Sequence, residues 1–247
     1  MDNYFLNRHT CRTFSEKKVP DSLLSSIVDA AVHAPTTGNM QLYSVIATRE
    51  PEMRRKLSSL HFNQPAAINA PLILTICADL NKFCHWCDIS DADHGFDNYQ
   101  GMTYALLDAV IFAQQIVTIA EMDGLGTCYL GTATFNAPEI ANLLKLPKRV
   151  IPICALAIGY PSGDSDITER IGSRGILHFE TYPELSDEDI KKIYAVKDNY
   201  PANAGYAKEH GKRNIAQVFT DVRYSREMNE NFSTPFVDFL HKQGFRF

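Results

Sequence analysis

A single helical stretch, residues 99–122, constrains the fold of this chain more than any other part of the sequence. Between residues 104 and 120, apolar side chains occupy nearly every side of the predicted helix. The polar exceptions are Asp108, Gln114, Gln115 and Thr118. A helix with so little polar surface must lie in the middle of a domain or in a contact between subunits. Because these residues interrupt the run of about 20 apolar residues that a membrane span needs, we expect no membrane partner.

The charge and cysteine content argue against several classes of function. Lys and Arg number 24 against 29 for Asp and Glu, and the resulting charge of −5 argues against a nucleic-acid partner, which normally requires a basic excess. The N-terminal sequence contains no apolar segment typical of secretory signals, so we expect a cytoplasmic protein. In that compartment the six cysteines are expected to be reduced thiols.

Helical and strand-like patterns alternate irregularly along the chain. Helices are predicted at 20–33, 51–60, 99–122, 136–144 and 186–197, and strands at 42–48, 72–77, 127–130 and 150–158. Residues 198–214 are polar and rich in helix breakers, which predicts a mobile surface loop. Residues 220–243 carry a helical apolar stripe, in which Pro235 predicts a kink or a restart. The fold class is therefore α+β, in a single domain over residues 1–247 with an extended C-terminal helical tail.

The first candidate binding segment is residues 8–12. It brings Arg8, His9, Thr10 and Arg12 within five positions. Guanidinium donors with a hydroxyl between them suit a phosphate, because arginine presents a rigid fork of N–H groups. A solvated N-terminal arm with surface ion pairs is the alternative interpretation.

A second candidate segment, residues 34–41, combines hydroxyl and amide side chains between a predicted helix and a predicted strand. It contains Thr36, Thr37, Asn39 and Gln41. Amide side chains both donate and accept hydrogen bonds, as the edge of a pyrimidine or flavin ring requires. A plain capping loop is the alternative interpretation.

A third candidate segment, residues 124–132, is rich in glycine. Gly124, Gly126 and Gly131 allow the backbone to approach a ligand closely. A helix and not a strand precedes the segment, so the pattern does not support a Rossmann dinucleotide site.

Taken in this order, the three segments resemble the FMN-dependent nitroreductase family. The matching patterns are R-H-T-x-R, A-P-T-T-x-N-x-Q and G-L-G-x-x-Y-L-G after a long buried helix. Residues 77–81 and 239–245 are similar to the branch of larger oxygen-insensitive nitroreductases and flavin reductases. The resemblance implies a nitroreductase-like α+β fold, with a central mixed, largely antiparallel sheet flanked by helices. It also implies a homodimer with two flavins at the subunit boundary.

The resemblance further implies which residues bind the FMN. Those expected at the phosphate and the ribityl chain are Arg8, His9, Thr10 and Arg170. Those expected to line the flavin from the second subunit are Thr36, Thr37, Asn39 and Gln41. Those expected along the ring near its N5 atom are Tyr129, Leu130 and Gly131.

Two residues are candidates for a catalytic role as well as for cofactor binding. The resemblance places Arg12 and Gln64 at the pyrimidine side of the ring, where a cation or a donor stabilises the negative charge of reduced flavin. The chain also departs from the family pattern. Leu42 and Tyr43 stand where an aromatic Trp is common, and Arg170 alone represents a usual pair of basic residues.

The activity implied by the resemblance is an FMN-dependent NAD(P)H oxidoreductase. It would reduce nitroaromatics, quinones or similar small electrophiles by a ping-pong hydride transfer, with NADPH or NADH as the donor. A protein that binds flavin without turnover is the first alternative. A zinc or thiol-redox protein using Cys84 and Cys87 is a weaker one, because structural zinc normally needs four ligands. We expect no bound metal.

Overall fold

The structure, a computed structural model, describes residues 4–163 and 165–247. The chain divides into two compact units. The first comprises Met1–Asp166 and Phe232–Phe247, and the second comprises Ile167–Asn231. The organisation as a single domain over residues 1–247 remains a prediction.

A four-stranded sheet forms the centre of the first unit. Its strands, in the spatial order β1-β2-β4-β3, are β1 (Tyr43–Thr48), β2 (Leu72–Asp79), β3 (Gly126–Leu130) and β4 (Val150–Gly159). All three pairs of neighbouring strands are antiparallel. The expectation of a mixed sheet is therefore wrong, because the sheet is antiparallel throughout the part of the chain that the structure describes. β1 ends and β2 begins at the same end of the sheet, and the same is true of β3 and β4.

The helices of the first unit surround this sheet. They are α1 (Tyr4–Asn7), α2 (Asp21–Ala31), α3 (Pro51–Leu60), α4 (Pro65–Asn69), α5 (Asn81–Ile89), α6 (Tyr99–Met122) and α7 (Ala137–Leu143). Four of them, α2, α3, α6 and α7, confirm predicted helices, and α1, α4 and α5 were not predicted. Pro51 occupies the first turn of α3, and the side chain of Asn98 accepts a hydrogen bond from the Gly101 N–H at the start of α6.

The central helix α6 packs one face against the sheet. Alanines at 105, 109, 113 and 120 are buried there and let the helix approach closely, and Phe112 stacks on Tyr43 of β1 with ring centroids 4.1 Å apart. By length and apolarity alone α6 could cross a membrane, which its polar interruptions did not suggest. However, 44% of its most apolar 18-residue window is buried inside the fold, and core helices of soluble proteins pass the same test.

The second unit is helical. It contains α8 (Asp187–Asp198), α9 (Pro201–Glu209), α10 (Ile215–Val218) and the first residues of α11 (Arg226–Lys242). The prediction of a mobile loop at 198–214 is wrong, because Pro201 occupies the first turn of α9, where proline is compatible with a helix, and three alanines follow it. Pro235 lies inside α11, and the helix continues past it to Lys242.

Candidate functional site

The N-terminal segment lies along the edge strand β3 and so meets the glycine-rich segment. The Cys11 N–H donates to the Thr127 carbonyl at 2.9 Å, and Phe14 pairs with Pro161 in an isolated antiparallel bridge. A Cβ at Gly126 would lie 2.5 Å from the Cys11 sulfur. Glycine is therefore required at this position for the two segments to approach each other.

Arg8 binds a carboxylate that the sequence analysis did not single out. Its Nη2 atom lies 3.3 Å from Oε1 of Glu121, near the end of α6. The hydroxyls of Tyr4 and Thr127 donate to the same carboxylate, at 2.7 and 2.5 Å. Burial, together with the hydrogen bond to Glu121, raises the pKa of Tyr4 to about 12. This network fixes Arg8 and leaves it further N–H donors, because a guanidinium carries five.

A cavity of about 260 Å³ opens beside this network. Its lining includes Arg8, His9 and Cys11 of the first segment and Gly124 and Gly126 of the third, together with Glu121. Thr10 and Arg12 do not line it. Thr10 is half-buried and Arg12 is exposed. The structure therefore brings the first and third candidate segments together around one opening.

The second candidate segment is anchored to the middle of α6 by Asp108. The buried carboxylate of Asp108 accepts hydrogen bonds from the backbone N–H groups of Thr37 at 2.8 Å and Leu42 at 3.2 Å. Between these anchors Asn39 and Gln41 have left-handed backbones, with φ of 58° and 56°. Non-glycine residues adopt this conformation only where the surroundings impose it, often at ligand sites.

The hydroxyl of Thr36 is the clearest sign that the 36–41 segment lacks a partner. Its Oγ1 atom is buried and has no hydrogen-bond partner among the described residues. Buried polar groups are nearly always paired, so this hydroxyl is available to a water, a ligand or a partner chain.

The turn that precedes Gln64 is joined to the chain after β3 by a buried histidine, His61. Nδ1 of His61 forms a hydrogen bond of 2.9 Å with the Thr132 hydroxyl, which joins the turn before α4 to the residues after β3. Burial lowers the pKa of His61 to about 4, so the ring is neutral at pH 7. Gly131 faces open space, since no heavy atom lies within 4 Å of the position a Cβ would take.

The remaining predicted residues differ in what they can offer a ligand. Leu130 is fully buried, so only its backbone is available, whereas Tyr129 is half-buried. Burial raises the pKa of Tyr129, and the nearby charge of Arg8 opposes that rise. Arg170 lies in the second unit, where its guanidinium donates to the Thr168 hydroxyl at 2.5 Å and to the Glu169 carbonyl at 2.9 Å.

Sequence reasoning missed three residues that hold the site together: His61, Asp108 and Glu121. A signal existed for the two carboxylates, because an acidic residue in a nearly continuous apolar helix must be paired when it is buried. For His61 the sequence offered no comparable signal.

The two cysteines considered for a metal lie on α5, and both are buried free thiols. Over residues 4–163 and 165–247, no group of three or more His, Cys, Asp or Glu side chains is arranged to hold a metal ion. Burial raises the pKa of Cys84, which keeps its thiol protonated and unreactive. All six cysteines are unpaired, as expected for reduced thiols.

Comparison with known proteins adds independent findings. The model of the nitroreductase family matches residues 6–160, a range that contains all three candidate segments and Gln64 but not Arg170. An FMN reductase (NADPH) from Bacillus subtilis is 26% identical over 245 residues, covering 97% of this chain and 96% of the relative. An oxygen-insensitive NADPH nitroreductase from Salmonella typhimurium is 28% identical over 234 residues, covering 94% and 92%. A solved structure of a candidate oxidoreductase from Bacteroides fragilis is 39% identical, with a TM-score of 0.97 over 100% of both chains.

Proposed function

The chain belongs to the nitroreductase family, and from this premise we propose that it is an FMN-dependent NAD(P)H oxidoreductase. The observation that carries the proposal is the meeting of the N-terminal basic segment with the glycine end of β3 around one cavity. The names of the relatives, an FMN reductase (NADPH) and an NADPH nitroreductase, support the same cofactor and donor.

The residues present fit FMN in their chemistry. Arg8, His9, Thr10 and Arg12 supply the cations and the hydroxyl that a phosphate requires. The open space at Gly131 allows a flat ring to lie against the backbone, and the unpaired hydroxyl of Thr36 supplies a polar contact. The role of Arg170 stays a prediction from the resemblance, since this residue lies in the second unit.

Flavin, when bound, supplies the hydride chemistry between a nicotinamide donor and an electron acceptor. The chain contributes position and charge. Arg12 and Gln64 are proposed to donate hydrogen bonds to the pyrimidine side of the ring, where negative charge develops on reduction. We propose ping-pong kinetics with nitroaromatics, quinones or similar small electrophiles as acceptors, because a donor and an acceptor that share one binding place would have to occupy it in turn.

We propose a homodimer because one chain supplies only part of a flavin site. The cavity of about 260 Å³ is smaller than the roughly 300–1,000 Å³ of complete ligand pockets. In addition, Asp108 and Glu121 are thirteen residues apart on α6, which separates the two anchored segments by about 20 Å along the helix.

The exposed face of α6 suits this dimer. Leu107, Val110 and Ile111 are 55%, 48% and 41% exposed, although they are apolar. An antiparallel pairing of two α6 helices, centred near Gln114 and Gln115, brings the 36–41 segment of one subunit to the Arg8 segment of the other. Such a two-fold contact is self-complementary and completes two equivalent sites. The free thiols and the acidic charge are consistent with a cytoplasmic enzyme that has no nucleic-acid partner.

The test is a spectroscopic titration of the purified protein with FMN, followed by anaerobic addition of NADPH or NADH. We expect stoichiometric FMN binding, bleaching by at least one donor, and recovery of the colour on addition of a quinone or a nitroaromatic. Failure to bind FMN overturns the proposal. Binding without bleaching favours the alternative of a flavin-binding protein without turnover.

A further inference from the structure

A second and larger cavity lies in the first unit, away from the proposed flavin site. Its volume is about 620 Å³, within the range of small-molecule pockets. It is formed where the chain after α11 meets Lys148 and Arg149, directly before β4, and none of its lining residues is a predicted flavin residue. Near the proposed flavin site, the Ser15 N–H donates to the Tyr160 carbonyl, directly after the opposite end of β4. The ten residues of β4 separate the two places by about 30 Å.

The lining of this cavity is strongly cationic in an acidic protein. Lys148, Arg149, Lys242 and Arg246 line it, whereas Asp97 is the one carboxylate among its lining residues. The whole chain has a net charge of −5, so this excess of positive charge is local. Like charges gathered at one cavity repel each other, and a bound anion relieves that repulsion.

Several of these cations keep free donors. The Nζ atom of Lys148 donates to the Lys242 carbonyl at the end of α11, which is a capping role. By contrast, the ammonium of Lys242 has no partner among the described residues, and Arg246 uses only its Nε atom, 2.9 Å from Asp97. Nη1 of Arg149 lies 3.5 Å from a ring nitrogen of His94. Three side chains, those of Arg149, Lys242 and Arg246, therefore have N–H groups left for a ligand.

The second observation is the side chain of Gln243, which lines the same cavity. It is only 7% exposed, and its Oε1 atom is buried without a hydrogen-bond partner among the described residues. A buried amide oxygen is normally paired with a donor, so this one is available to a water or a ligand.

We propose that this cavity binds a small phosphate-bearing molecule at a site separate from the flavin. A phosphate group places about two negative charges on three acceptor oxygens, so that several cations can converge on a single group. A carboxylate carries one charge on two oxygens and satisfies fewer of them. A P–OH or hydroxyl donor of the ligand pairs with the oxygen of Gln243.

The probe for the test is inorganic pyrophosphate, titrated by calorimetry into FMN-saturated protein so that the flavin phosphate site is filled. We expect one pyrophosphate per chain, with an affinity that falls as salt is added. The substitution Lys242→Gln should weaken binding about fivefold or more, since it removes one close charge and no protein contact. Gln243→Met, which leaves every charge in place, should also weaken it.

The matched control is Lys145→Gln, which removes an exposed lysine that does not line the cavity. Its affinity for pyrophosphate should equal that of the unmodified protein. The proposal is overturned if no saturable binding occurs at millimolar pyrophosphate, if Lys242→Gln and Lys145→Gln behave alike, or if citrate binds more tightly than pyrophosphate.

The two proposals fail separately. If the protein does not bind FMN, the titration is carried out on the flavin-free chain and on its Arg8→Ala variant. Retained binding in Arg8→Ala supports the second site, whereas lost binding assigns pyrophosphate to the cavity beside Arg8 and overturns the inference.

Discussion

Asp108 and Glu121 lie on the same helix, and each holds a different segment of the proposed flavin site. Asp108 accepts two backbone N–H groups from the chain around the 36–41 segment, and Glu121 binds the guanidinium of Arg8. The central helix therefore serves as a common frame on which two distant parts of the sequence are positioned.

Replacement of Arg8 should weaken the binding of FMN. The substitution Arg8→Ala removes a partly buried cation that the cavity presents, and we expect the Kd for FMN to rise tenfold or more, as for the loss of a charge-assisted hydrogen bond. The measurement is quenching of FMN fluorescence on titration with protein. Arg55→Ala, at an exposed position of α3, is the control and should leave the Kd unchanged. Equal affinity in Arg8→Ala and the unmodified protein contradicts the phosphate role.

Replacement of Asp108 should destabilise the protein and loosen the 36–41 segment. In Asp108→Ala two backbone N–H groups lose their buried acceptor, so the free energy of unfolding should fall by about 2–4 kcal/mol. Urea denaturation measures this change, and hydrogen exchange at the amides of Thr37 and Leu42 localises it. Asp123→Ala, at an exposed position just after α6, should change stability by less than about 0.5 kcal/mol. An unaltered exchange rate at both amides is incompatible with the anchoring role.

The burial of His61 should make stability depend on pH below neutrality. Burial lowers the pKa of His61 from 6.5 to about 4, so the unfolded chain binds a proton at this residue before the folded protein does. The contribution of His61 to the free energy of unfolding is therefore fully present above about pH 6.5. It is lost as the pH falls toward 4, and the loss amounts to about 3 kcal/mol. Urea unfolding at several pH values measures the slope.

His61→Gln should remove this part of the slope, whereas His85→Gln, at an exposed position of α5, should retain it. Identical slopes in the two variants contradict the assignment to His61.

A charge on the exposed face of α6 should prevent dimer formation. The substitution Val110→Glu places a carboxylate where two copies of α6 are proposed to meet, and its burial without a partner is strongly unfavourable. We expect a monomer by analytical ultracentrifugation and a loss of FMN binding in the same variant. Ile89→Glu, at a 70% exposed apolar position on α5, is the control and should stay dimeric. If the unmodified protein is a monomer and still binds FMN fully, the proposal that two subunits share each flavin site is contradicted.

Most of the secondary structure could be predicted from local sequence patterns. The bounds of α3 and α6 agree with the predicted 51–60 and 99–122, because the proline and the apolar spacing that predicted them act over a few residues. The prediction of a loop at 198–214 is wrong, because Pro201 does not break a helix but occupies the first turn of α9. The three candidate segments were also identified from residue types alone. Their roles toward FMN remain predictions.

The sequence by itself determined the positions of the four strands and of most long helices, and it indicated that residues 99–122 lie inside the fold or in a subunit contact. It also singled out three segments, two for their polar side chains and one for its glycines. Only the tertiary structure decided that Glu121 binds Arg8, that His61 joins Thr132, and that Lys242 and Gln243 share a cavity with Arg149. Local patterns arise from the geometry of neighbouring residues along the chain. These contacts join residues that are between 71 and 113 positions apart in the sequence. Their formation therefore depends on tertiary packing, which no single stretch of sequence specifies.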